Sequence, residues 1–251
     1  MWERRIGFAL AVGCLVLAAC GSKQPAAVSS STTKSTTQAT TTTTAPLTVA
    51  QTLERISIQP SYLGTGEHIA LYQQGDDVSG QVTLDVCGAK FRSEARRRAR
   101  HQVGVSDAHG ADTGLSTEAV LYDSAAGAQQ ALREINAARA GCPARFVTSD
   151  VAGVPPIETT FGSAPDATWA RTPGVTRVAL AESERDQQGH SDHSVAVYQV
   201  RGALLVAFYS DATIAPGVIR PSVGGIEGVS QAIAQQMASL PAAALAPRSN
   251  A

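Results

Sequence analysis

The chain has little of what would announce an activity. Only 5% of its 251 residues are aromatic, four are cysteine, and the formal net charge is -1. So even a balance lacks the basic footprint of a nucleic-acid binder, and no nucleic-acid partner is implied. No apolar run reaches the ~20 residues needed to cross a hydrocarbon core as a helix. No Gly-x-Ser-x-Gly elbow occurs, which removes one nucleophile setting of hydrolases. Gly64-Thr65-Gly66 has no strand before it and no helix after it, so it is not a phosphate loop. No cofactor is implied.

What the chain does have is an address. Arg4 and Arg5 precede the apolar stretch Ile6 to Ala19, which ends in Leu17-Ala18-Ala19-Cys20 and is followed by Gly21. A basic start, a short apolar segment and small residues before a cysteine are the layout of a lipoprotein signal, expected over residues 1–19. Cys20 is then the lipidated first residue and the membrane the first partner, since two acyl chains suffice for stable anchoring. Cys14 lies inside the apolar segment and leaves with it. Residues 20–46, dominated by Ser and Thr as in Ser29 to Thr33 and Thr40 to Thr44, cannot enter a core and read as a disordered tether, open to O-glycosylation. As a flexible coil it reaches roughly 25–30 Å. Residues 47–240 suit one domain, and the Ala- and Pro-rich residues 241–251 read as a fraying tail.

The folded part keeps Cys87 and Cys142, an even count in a compartment that permits disulfides. Neither sits in a Cys-x-x-Cys motif or at a helix start, so a disulfide is expected rather than a reactive thiol. In the chain-entropy model a loop of this length is worth about 4 kcal/mol.

Ala128, Ala131, Leu132, Ile135 and Ala138 recur at helical spacing, with Ser124 placed to cap and Gly141 and Pro143 to stop, which predicts a helix over 124–140. Ile226, Val229, Ile233, Met237 and Leu240 predict another before Pro241. Thr117–Tyr122, Thr168–Arg171, Thr176–Glu182, Ser194–Val200 and Ala203–Ser210 read as strands, with a tight turn at Arg201-Gly202. His68–Gln73 and Gln81–Cys87 add N-terminal strands. The fold class expected is α+β: a twisted antiparallel sheet whose apolar face is packed by two main helices.

Five arginines, Arg92, Arg96, Arg97, Arg98 and Arg100, fall within nine residues and suggest contact with an anion or an anionic surface, against the plain alternative of a solvated face. His190-Ser191-Asp192-His193 offers two imidazoles and a carboxylate, too few for a zinc site without a second cluster, so no metal is expected. Glu182 with Glu184, or Asp76 with Asp77, can be drawn as acid and base, but nothing in the pattern separates their pKa values. Trp169, Tyr198 and Tyr209 are candidates for the wall of a cleft on an open sheet face, with residues 151–165 as its lip.

Leu84-Asp85-Val86-Cys87-Gly88, Phe91-Arg92-Ser93-Glu94, and Thr117 to Tyr122 leading to Cys142-Pro143 resemble actinobacterial, chiefly mycobacterial, envelope lipoproteins of the sensor-domain type. These are similar to the extracellular sensor domain of membrane serine/threonine kinases. The resemblance implies an extracytoplasmic α+β domain with a ligand cleft and no catalytic residues. This chain departs from the kinase version in lacking a kinase domain and in having one cysteine pair rather than two. The expectation is a non-enzymatic binding or sensor-like module whose partner is a lipid, a glycan or an envelope protein. The alternatives are an envelope hydrolase or transferase using His190, Asp192 or His193, and a structural partner of an envelope complex.

Overall fold

The computed structural model describes residues 46–149 and 154–246. The signal segment, Cys20, the body of the tether and the last five residues lie outside the described residues. Seven strands form one antiparallel sheet: β1 (His68–Gly75), β2 (Arg97–Ser106), β3 (Asp112–Tyr122), β4 (Ile157–Phe161), β5 (Thr176–Asp186), β6 (Ser191–Arg201) and β7 (Leu204–Asp211), in the order β1-β2-β3-β7-β6-β5-β4. Three helices accompany it: α1 (Val49–Arg55), α2 (Ala125–Ala140) and α3 (Gly225–Ser239). The class is α+β, a single domain with one disulfide, Cys87–Cys142.

α1 and α2 begin where the sequence supplies a side-chain acceptor for their orphan amides. The Thr48 hydroxyl accepts from Gln51 while the Gln51 side chain accepts from the Thr48 amide, a capping box for α1. The Ser124 hydroxyl accepts from Gly127 at the head of α2, and α3 stops before Pro241.

Alternate residues along the strands enter two cores. Ala119, Leu121, Val197, Leu204, Val206 and Phe208 pack against Leu53 and Ile56 of the α1 segment and Val229, Ile233 and Met237 of α3. Val120, Tyr122, Tyr198, Val200, Leu205 and Ala207 pack against Ala128, Ala131, Leu132 and Ile135 of α2. The two main helices therefore lie on opposite faces, which corrects the expectation of one covered and one open face. The reason is visible in β7: Leu204 to Phe208 is an unbroken apolar run, the pattern of a strand buried on both sides rather than the alternation of a half-exposed one.

Other differences follow from local chemistry. Thr168–Arg171 is not a strand: Asp166, two residues before it, pairs with Arg177 of β5 at 2.9 Å and the Arg177 guanidinium stacks over Trp169. Gln81–Cys87 is extended but irregular, held by side chains rather than by a ladder. Three elements escaped the pattern: α1, β2, whose start is hidden by arginines, and β4, within the stretch expected to form a lip. Pro241–Ala246 is docked rather than frayed. Ala244 is buried and the Ala203 amide donates to the Leu245 carbonyl. That segment passes so close to the β6–β7 turn that a Cβ on Gly202 would lie 2.7 Å from the Leu245 Cβ.

Candidate ligand groove

The arginine cluster organises the site without facing it as a unit. Arg97 and Arg100, at the start of β2, are 5% and 4% exposed. Arg97 donates to the Val78 carbonyl at 3.1 Å, to the Gln81 carbonyl and to the Thr83 hydroxyl, and pairs with Glu94 at 2.9 Å. Arg100 pairs with Glu118 of β3 at 2.7 Å and donates to the Gln81 side chain. Arg96 is held by Asp123, Ser124 and Gln130 at the head of α2. Only Arg92 and Arg98 are exposed. The expectation of a five-arginine surface is corrected: desolvating a guanidinium is tolerated only where carboxylates and carbonyls saturate it, and here three of the five are so used.

What those bonds hold is the segment 76–91. Arg97 and Arg100 pin its Val78–Thr83 part to β2, and the disulfide ties Cys87 to the end of α2. Between the segment and the turn Arg92–Arg96 opens a groove of about 730 Å³. Val82, Leu84, Ala89 and Phe91 supply its apolar floor, and Asp76, Asp77, Lys90 and Arg98 its charged rim. The size is that of small-molecule sites, which combine apolar walls with a few polar groups. A wall fixed at both ends reaches the bound conformation with less ordering cost.

The other side of the same segment lines a crevice of about 30 Å³ with Asp85, Val147, Thr159, Glu182 and Glu184. Glu182 and Glu184, two apart on β5, share a face and stand beside each other. Burial pushes the Glu182 carboxyl up to about 8, helped by the Glu184 and Asp85 carboxylates and opposed by the Ser194 hydroxyl. Glu184 is raised by burial and by Asp192 and Asp85. On the same face, burial pushes Glu118 up to about 7 against the pull of Arg100. The sequence reading found no sign of such burial. The signal was available in the spacing, since Glu182 and Glu184 continue the inward phase of Leu180.

No family model matches the chain, and no curated protein matches its sequence. Among solved structures, the extracellular domain of PknH from Mycobacterium tuberculosis is similar at a TM-score of 0.44 and 11% identity, over 77% of this chain and 95% of that one. At that distance neither ligand nor signalling role passes from one to the other.

The aromatic cleft is not assembled. Tyr198 is buried under α2, edge-on to Tyr209 with ring centroids 6.0 Å apart, whereas Trp169 packs on the opposite face with the α3 core. Strand parity separates them, since Tyr198 and Tyr209 share the phase of Leu205. His190 and Asp192 stand exposed at the β5–β6 hairpin. His190 is engaged by Asp186 at 2.8 Å and His193 by Ser183 at 2.8 Å. Among the described residues no three His, Cys, Asp or Glu side chains are placed to hold a metal ion, and no helix is long and apolar enough to cross a membrane.

Proposed function

We propose that the protein is a lipid-anchored binding module of the cell envelope, and that the groove walled by residues 76–91 receives the apolar part of an amphiphilic ligand. The groove carries the reading: about 730 Å³ of space with Val82, Leu84, Ala89 and Phe91 below and charges of both signs around the rim. An apolar floor favours an acyl or similar chain over a glycan. A lining that includes Lys90, Arg98, Asp76 and Asp77 suits a polar head group. The Leu17 to Cys20 sequence and the Cys87–Cys142 disulfide agree with an extracytoplasmic site beside a membrane, where such amphiphiles are abundant.

Ala95 is exposed on the groove wall, so Ala95→Trp fills the space without entering either core. Native mass spectrometry of the full chain extracted from host membranes is expected to show an adduct of lipid mass on the wild type, and none on Ala95→Trp. A bare wild type, or an adduct kept by Ala95→Trp, overturns the reading.

A further inference from the structure

The crevice on the far side of the 81–88 segment has a chemistry of its own. Its polar lining is acceptor-rich and unbalanced. Glu182 and Glu184 project from β5, Asp85 from the covering segment, and Asp192 stands opposite Glu184 across the β5–β6 ladder. Glu158 and Arg185, the charged pair nearest in sequence, belong to the opposite phase of β4 and β5 and satisfy each other. No Arg or Lys among the described residues offsets Glu182 or Glu184. Asp85 accepts from the Ser149 hydroxyl. The crevice thus gathers like charge where water is scarce, an arrangement that destabilises the empty fold.

A second observation comes from β4. Thr159 is 5% exposed, lines the crevice, and its hydroxyl has no hydrogen-bond partner among the described residues. A buried unpartnered hydroxyl carries a desolvation cost that native folds generally avoid. Thr159 pairs directly with Glu184 across the β4–β5 ladder, so hydroxyl and carboxylate border the same space. At about 30 Å³ that space matches one small polar group.

We infer that this crevice binds a small organic cation, the ammonium end of a primary amine, seated between Glu182, Glu184 and the Thr159 hydroxyl. An ammonium group carries three N–H donors and no acceptor, which is what two carboxylates and an unpartnered hydroxyl lack. Its charge relieves the repulsion between the carboxylates. Because the raised carboxyls must ionise to hold it, binding expels protons and strengthens as pH rises from 6 to 8.

Methylammonium chloride is the probe, with tetramethylammonium chloride, which has no N–H and is larger, as the control at equal concentration. The expected result on the full chain is a saturable rise in melting temperature with methylammonium alone, larger at pH 8 than at pH 6. Titration calorimetry in two buffers of different ionisation enthalpy reads the accompanying proton release. Glu184→Gln is expected to melt higher than wild type at pH 8 without probe and to bind methylammonium about tenfold more weakly or worse. Thr159→Val tests the hydroxyl in the same way with shape nearly conserved. Equal shifts with the two salts, no proton release, or undiminished binding by Glu184→Gln overturns the inference.

Discussion

At the scale of the residue, the carboxyls on the α2 side of the sheet set the pH response. Glu182 titrates near the ordinary glutamate value when unfolded and at about 8 in the fold, so the fold binds its proton more tightly. The resulting stabilisation is complete below the ordinary value and is lost as pH rises toward 8, and Glu118 acts in the same direction up to about 7. The melting temperature is therefore expected to fall between pH 5 and pH 8, and Glu182→Gln to flatten that fall. A slope unchanged in Glu182→Gln would show that the carboxyl is not held in its neutral form. Arg97 gives a prediction of another kind. Arg97→Met removes four polar contacts and leaves Glu94 without its cation, at an expected cost of about 3 kcal/mol in denaturant titration. The matching local readout is faster amide hydrogen exchange over residues 76–91, where the arginine's partners lie.

At the scale of the element, the segment 76–91 is the least regular part of the domain and the part that shapes both concavities. It has no ladder of its own, so its shape depends on Arg97 and Arg100 at one end and on Cys87–Cys142 at the other. Replacing both cysteines by serine opens a closed loop of 55 residues and is expected to cost about 4 kcal/mol. A loss below about 1 kcal/mol in chemical denaturation would mean that the arginine contacts alone hold the segment. The β6–β7 turn supplies a second test. Gly202 has φ 58 and the C-terminal segment lies against it, so Gly202→Ala is expected to lower the melting temperature and expose residues 241–246 to carboxypeptidase. α2 and α3 were legible because a 3.6-residue period over about four turns is local, whereas the seven-residue α1 is too short to show one. β2 was not legible, since Arg97 and Arg100 read as a solvated charge run until Glu118, eighteen residues beyond Arg100, is brought across from β3.

At the scale of the whole molecule, the proposed anchoring is tested apart from the domain. The expected lipoprotein signal ends at Cys20, and the described domain starts at residue 46. Cys20→Ser is expected to move the protein from the membrane fraction to the soluble one while leaving the domain's melting temperature unchanged. Retention in the membrane would remove the lipoprotein reading. The sequence by itself determined the cysteine pair, α2, α3 and most strands of the sheet, because these depend on composition, period and residues close along the chain. It also determined that β7 carries an unbroken apolar run from Leu204 to Phe208, although not that this apolarity is shared between two helix layers. Only the tertiary structure decided which side of the sheet each helix covers, which arginines are spent on holding a loop, and that Trp169 and Tyr198 never meet. It also gathered Asp85, Thr159, Glu182 and Glu184 around one crevice. Burial and charge pairing act between residues far apart in the chain, so side chains that look alike in sequence, Arg97 and Arg98 for instance, part company only once the strands have come together.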